Sequence, residues 1–180
     1  MAVPPAWFWP AFLGGTAAII LFSWRISIRA KRYHGLARFF AFESILGLLL
    51  LNGSVWFRDP FSLPQIASWI LLSASFFLAG HSVWIYLKLS APRSEFEDST
   101  RLVRRGAYRY IRHPMYSSLL LLAWGVFWKA PSWPGAALVA VATACLLATA
   151  RAEERENLRF FGPAYAATMR QTKMFIPFLF

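Results

Sequence analysis

Five apolar stretches dominate the chain, at Trp7–Trp24, Phe39–Phe57, Ile66–Leu87, Met115–Trp128 and Trp133–Ala150. Four of them run 18 to 22 residues, which at a helical rise of about 1.5 Å per residue matches a hydrocarbon core of roughly 30 Å. The stretch at Met115–Trp128 has 14 residues and spans only where the bilayer thins or its neighbours bury it. Together the five take 91 of the 180 residues. The expected fold is therefore all-α, an integral membrane protein with about five transmembrane helices.

The basic residues orient those spans. Arg25, Arg29, Lys31, Arg32 and Arg38 lie between the first two stretches. Lys88, Arg93, Arg101, Arg104, Arg105, Arg109 and Arg112 lie between the third and fourth, and Arg151, Arg155, Arg159, Arg170 and Lys173 follow the fifth. Under alternating threading these 17 fall on one side, leaving only Arg58 and Lys129 on the other. Cytoplasmic loops carry the excess of Lys and Arg, so the N-terminus is expected outside and the C-terminus in the cytoplasm, in a bacterial inner membrane. A net charge of +11 would otherwise suggest a nucleic-acid partner, but a nucleic-acid binder has no reason to divide its arginines among membrane-length apolar runs. The expected partners are membrane lipids and a lipophilic small molecule or lipid, with no nucleic acid.

Met1 to Ala6 carry no Lys or Arg ahead of the first apolar run. The charged region of a cleavable signal is missing, and the first span reads as an anchor. The single cysteine, Cys145, excludes a disulfide framework and a multi-cysteine zinc site; no metal centre is expected. The outer loops, Arg58–Gln65 and Lys129–Ser132, are too short to do more than turn the chain. The chemistry is therefore expected in Lys88–Pro114 and Arg151–Phe180, and the chain divides into three N-terminal spans (1–87) and a core (88–180).

In the first of these segments Pro114 pushes His113 out of the helical region and suits the first turn of the next helix. His113 is then expected at a helix start, where free backbone N–H groups favour an anion. The alternative reading makes Arg112 and Tyr116 interface anchors. In the second segment Glu153 and Glu154 close the fifth span. Adjacent carboxylates there are either an exposed helix end or a site for a positively charged group. Gly162-Pro163 ends that helix, and Thr172–Pro177 lies on the membrane surface or folds back as a pocket wall. Inside the spans, Glu43 is read either as a partner of Arg38 or Arg25 or as lining the acceptor path. His81 is read as an interhelical hydrogen bond or as lining the same path.

Leu102-Val103, Gly106, Tyr108, Arg112-His113-Pro114-Met115-Tyr116, Glu153-Glu154, Phe161-Gly162, Tyr165 and Phe175-Ile176-Pro177 together resemble, in order and spacing over residues 88–180, the isoprenylcysteine carboxyl methyltransferase family and its wider phospholipid methyltransferase relatives. The resemblance implies an S-adenosyl-L-methionine pocket built from the 88–114 loop and the C-terminal helix. It places Leu102 and Val103 at the adenine, and Tyr108, His113, Pro114, Met115 and Tyr116 at the nucleoside and methionine portion. It makes Glu153, with Glu154 beside it, the cofactor glutamate. Two positions depart from it. The prenylcysteine enzymes carry an arginine, assigned to the substrate carboxylate, where this chain has Thr149, and a histidine where it has Thr100. Arg151, two residues from Glu153, points to a different helix face and cannot simply substitute for that arginine; with Glu43 and His81 it is a candidate substrate residue. The implied acceptor is a prenylcysteine-like carboxylate, a lipid amine or a thiol. A membrane reductase using NADPH, as in the sterol reductases, and an inactive scaffold remain the alternatives. A reporter active only outside the membrane, fused after Phe180, is expected to be silent; activity there overturns the orientation.

Overall fold

In the computed structural model, which describes residues 6–25, 35–90 and 102–179, the apolar stretches are helical. The described residues form α1 (Phe8–Ser23), α2 (Gly35–Leu51), α3 (Leu63–Leu89), α4 (Pro114–Phe127), α5 (Trp133–Phe161) and α6 (Pro163–Gln171). Short 3-10 turns occupy Gly53–Val55 and Gly106–Arg109. Thr100 and the basic residues Arg29, Lys31, Arg32, Arg93 and Arg101 lie outside the described residues.

Two helices, α3 with 27 residues and α5 with 29, are long and apolar enough to cross a membrane, whereas α1 and α4 are shorter apolar helices. α5 continues about three turns beyond its apolar stretch, to Phe161, and ends at Gly162 where the Gly162-Pro163 pair places the stop. At the other end of α4, Pro114 opens the helix as expected and His113 precedes it with φ −122° and ψ 59°.

The helices pack in the order α1, α2, α5, α4, α3, with α2 also touching α4. Ile45, Leu48, Ala123, Val126, Val139 and Ala142 form the centre of this row. A second cluster of Ala41, Tyr116, Leu146, Ala150 and Phe175 lies toward the other end of the same seam. Alanine recurs at both because small residues let helix backbones approach closely where water does not drive association. Gly125 makes the same point between α4 and α3: a Cβ there would stand 3.0 Å from the Leu72 side chain and 3.2 Å from its backbone nitrogen.

α3 is inside out by the standard of a water-soluble helix. Its buried face is Gln65, Ser68, Ser75, Ser82 and Ile85. Ile70, Phe76, Phe77, Trp84 and Leu87 are exposed. The serines at 68, 75 and 82 recur every seven residues and so share one face. Ser75 donates to the Ser118 carbonyl of α4 at 2.7 Å. A large apolar face turned outward is costly in water and at home in lipid. The protein is an integral membrane protein.

At the far end of the row from α6, the residues that join α2, α3, α4 and α5 are tied by buried amides. Asn52 Nδ2 donates to the Val126 carbonyl at 3.0 Å. Gln65 Nε2 donates to the carbonyls of Val55 and Lys129, each at 3.1 Å. Lys129, 4% exposed, donates from Nζ to Gln65 Oε1 at 3.0 Å and stands 3.5 Å from the Trp69 ring centre. Burial lowers its pKa, and the ring face and the amide oxygen offset part of that cost. Replacing Lys129 with Met removes both contacts. Thermal unfolding in detergent is expected to show a loss of about 2 kcal/mol, and an unchanged midpoint would contradict this account.

Candidate functional site

The segment before α4 is held open by a strap of backbone. Arg112 N–H donates to the Lys173 carbonyl at 2.8 Å, His113 N–H to the Met174 carbonyl at 3.1 Å, and Lys173 N–H to the Tyr110 carbonyl at 3.0 Å. This short parallel pairing, centred on Ile111 and Lys173, exists because Gly162, at φ +54°, turns the chain from α5 into α6 and sends residues 172–175 back. Ser117 of α4 adds a hydrogen bond to the Phe175 carbonyl at 2.8 Å. Thr172–Pro177 thus does fold back as a wall.

The strap aims Arg112 and His113 at the extension of α5, where Glu153 and Glu154 lie just beyond the apolar stretch. Arg112 Nε meets Glu154 Oε1 at 2.5 Å, and its Nη1 donates to the Thr172 carbonyl. His113 Nε2 lies 3.4 Å from the same Glu154 oxygen, and Nδ1 lies 3.6 Å from Glu153 Oε2. Burial pushes the Glu154 carboxyl up, but hydrogen bonds and charge from His113 and Arg112 outweigh it and leave the pKa below its ordinary value. The Tyr116 hydroxyl donates to Glu153 Oε1, and Arg38 Nη1 of α2 lies 4.0 Å from that oxygen. The His113 ring stacks on Tyr116 with centres 5.7 Å apart.

The two carboxylates are not equivalent. The Glu154 side chain is 7% exposed and engaged on the protein side, whereas that of Glu153 is 22% exposed. Glu153 is the more exposed of the two.

Between the Gly106–Arg109 turn and α6 lies a cavity of about 500 Å³, with Arg104, Arg105, Tyr108 and Arg109 on one side and Thr168, Gln171 and Thr172 on the other. This volume suits a nucleoside-sized ligand. Gly106 sits at φ +57°, and a Cβ there would come 2.1 Å from Ile85 Cδ1 and 2.5 Å from His81 Nε2, so only glycine lets the turn close on α3. The Tyr108 hydroxyl is buried without a hydrogen-bond partner among the described residues. Burial, with Tyr86 and Glu153 adding to it, raises its pKa well above the ordinary value and keeps it a donor. The 500 Å³ cavity and the unmatched buried donor of Tyr108 on its lining fit a nucleoside ligand.

The structure thus brings Tyr108, Arg112, His113, Tyr116, Glu153 and Glu154 together. Pro114 is fully buried beside them, while Leu102, Val103 and Met115 are half-buried. The readings of Arg112 and Tyr116 as interface anchors, and of both glutamates as an exposed helix end, give way to these contacts. Three other candidates stay outside the cluster. Arg151 is exposed on α5. Glu43 accepts from Thr16 of α1 at 3.0 Å. His81 is exposed and packs against Gly106. Thr149 is fully buried and donates to the Cys145 carbonyl at 2.8 Å. Arg38 was read from the sequence only as an orienting cation or a partner of Glu43. Its spacing to Ala41, Ile45 and Leu48 places all four on one helix face, and that spacing was the available signal.

Residues 64–164 match the phospholipid methyltransferase family, and the chain belongs to that family. Its members take their methyl group from S-adenosyl-L-methionine. The chain is also similar to the methanethiol S-methyltransferase of Crocosphaera subtropica, with 31% identity over 133 residues, covering 72% of this chain and 49% of that protein. It thus spans about half the length of that curated relative. The family match takes in Tyr108, His113, Tyr116 and both glutamates, and leaves out Arg38. The resemblance to the prenylcysteine enzymes is thus resolved at the level of the wider membrane methyltransferase superfamily.

The lowered pKa of Glu154 means that its contribution to stability is present above the ordinary carboxylate pKa and is lost as pH falls through the folded value. Wild-type protein in detergent is expected to lose thermal stability below about pH 4. Glu154→Gln should start lower by about 3 kcal/mol, because it leaves Arg112 buried and unmatched, and should show a flatter acid response. An identical acid response in both proteins would contradict the pairing.

Proposed function

We propose that the chain is an S-adenosyl-L-methionine-dependent membrane methyltransferase whose acceptor is a small thiol. The observation that carries this reading is the cluster in which His113 is clamped between Glu153 and Glu154, with the cavity bounded by Arg104–Arg109 and α6 close by. The expected location is a membrane crossed five times, N-terminus outside, with the cluster on the cytoplasmic side.

In this reading Glu153 holds the cofactor's ammonium. Tyr108 donates to the nucleoside, whose adenine lies against Leu102 and Val103. His113, Pro114, Met115 and Tyr116 bound the methionine portion. Glu154 positions His113 and Arg112 rather than touching the ligand. When bound, the cofactor supplies a methyl group on a sulfonium, and its transfer is a displacement that depends on alignment more than on acid or base help. The residues accordingly orient: Tyr116 fixes the Glu153 carboxylate through its hydroxyl, and the strap fixes His113. Ala41 of α2 and Leu146 and Ala150 of α5 are fully buried in the seam next to Tyr116. The name of the Crocosphaera relative supports a thiol over a lipid amine.

Calorimetry on the purified protein tests the reading. S-adenosylhomocysteine should bind at micromolar affinity, and Glu153→Ala and His113→Ala should each weaken binding by at least about tenfold. Binding of NADPH in its place would support a reductase, and binding of neither would support a scaffold.

A further inference from the structure

We propose that the arginine lip of the Tyr108 cavity, formed by Arg104, Arg105 and Arg109, binds the phosphate of an anionic phospholipid from the surrounding bilayer, and that this lipid sets the cavity's affinity for its cofactor. The lipid site stands on the fold alone, whereas its effect on the cofactor rests on the methyltransferase reading above.

The depth of this lip in the membrane follows from α3. Near one end of that helix Trp69, with Trp56 and Lys129, makes a belt of aromatic rings around a cation. Toward the other end exposed Trp84 carries the Lys88 ammonium, 5.1 Å from its ring centre. Tryptophan rings with a lysine beside them gather at the headgroup layer of a bilayer. Between Trp69 and Trp84 the helix rises about 22 Å, and the 14 residues of α4 cover about the same height. The Gly106 turn packs on α3 at Ile85 and His81, and the Tyr108 ring stands 6.4 Å from that of Tyr86. The turn is therefore level with Trp84, at the height of the phospholipid phosphates.

Arg104, Arg105 and Arg109 are exposed at the mouth of the cavity, whereas Tyr108, Thr168 and Thr172 behind them are buried. The three arginine side chains offer donors only. Arg104 gives one N–H to the Ala164 carbonyl of α6 at 2.6 Å, and Arg109 stands 5.9 Å from the Tyr110 ring centre; neither contact brings a negative charge. Among the described residues no carboxylate pairs with Arg104, Arg105 or Arg109. Glu95, Glu97 and Asp98 lie outside the described residues, and residues 88–112 hold seven basic residues against those three acids. Arg112 is taken by Glu154, so this segment keeps a surplus of positive charge even with every carboxylate paired. Three guanidinium groups within one short turn repel one another, and a phosphate accepts from two of them at once. The buried Tyr108 hydroxyl, without a hydrogen-bond partner among the described residues, adds a donor on the same wall. A bound phosphate draws Arg105 and Arg109 together and so steadies the turn that carries Tyr108. A zwitterionic lipid brings its own cation beside its phosphate and an anionic one does not, so basic groups at headgroup height select the anionic lipid.

The test places the full chain in bilayers of phosphatidylcholine alone, or of phosphatidylcholine mixed with phosphatidylglycerol. Wild type is compared with the double variant Arg105→Gln/Arg109→Gln and with Arg155→Gln/Arg159→Gln, which removes the same charge from exposed positions on the extension of α5. Association of spin-labelled phosphatidylglycerol, relative to spin-labelled phosphatidylcholine, reads the lipid site. Calorimetry with S-adenosylhomocysteine, a neutral ligand that does not respond to the surface potential, reads the cavity. Wild type is expected to prefer phosphatidylglycerol by about fivefold or more and to bind S-adenosylhomocysteine about fivefold tighter in the mixed bilayer. The variant at Arg105 and Arg109 should lose both preferences and bind S-adenosylhomocysteine in either bilayer as wild type does in phosphatidylcholine, which also reports a folded protein. The variant at Arg155 and Arg159 should keep both. Equal lipid association in wild type and the Arg105 and Arg109 variant overturns the site, and so does an equal loss in the two double variants. Preferred phosphatidylglycerol with no change in S-adenosylhomocysteine affinity overturns the coupling to the cavity. Inorganic phosphate that reproduces the gain in phosphatidylcholine bilayers overturns the lipid as its source. Wild type that prefers phosphatidylglycerol but binds no S-adenosylhomocysteine in either bilayer supports the lipid site and overturns the methyltransferase reading.

Discussion

The buried pair between Arg112 and Glu154 ties together three parts of the chain that are far apart in sequence. Arg112 belongs to the segment before α4, Glu154 to the extension of α5, and the carbonyl that takes a further N–H of the guanidinium belongs to Thr172, beyond α6. Two charges taken out of water are stable only if their geometry is good and their remaining donors and acceptors are met. The pair therefore fixes the height of α5 against α4 and the return path of the strap at once. The rest of the cluster depends on that placement, including the clamp on His113 and the angle from which Tyr116 reaches Glu153.

Within the membrane the organising rule is different. α3 turns serines inward and phenylalanines outward, because lipid solvates apolar side chains as well as a protein interior does and leaves close packing and hydrogen bonds to join the helices. The seam of α2, α4 and α5 follows the same rule with alanines. α4, the shortest of the apolar helices, is tolerated because α2, α3 and α5 cover it. Rigid packing there makes a firm base for a site whose chemistry asks for alignment.

Much of this was legible in the sequence for physical reasons. Hydropathy finds helices that face lipid, proline marks the start of α4, and Gly162-Pro163 marks the end of α5. The combined motif brought out the cluster and, among the families it resembles, the wider phospholipid methyltransferase relatives. The rest was hidden by the same signals. The charged extension of α5 beyond Ala150 escapes hydropathy and is bounded in the sequence only by the Gly162-Pro163 stop. Arg38 sat in a block of arginines that an orientation rule explains collectively, and only its helical phase with Ala41 and Ile45 separates it from the others. The partner of Glu43 is Thr16, a neutral hydroxyl on the preceding helix, and charge pairing does not find hydroxyls. The Thr149 departure was visible as a substitution, but the arrival of a guanidinium near Glu153 from α2 depends on packing.

The strap has a consequence for how the protein is made. Residues 172–175, which pair with Tyr110–His113, follow α1 to α6 in the chain. Synthesis proceeds from the N-terminus, so Arg112 and both glutamates leave the ribosome before the backbone that fixes them. Every earlier stage of synthesis leaves the cluster open. The cluster closes only once the segment beyond α6 has been delivered, so its geometry is the last part of the described fold to be set.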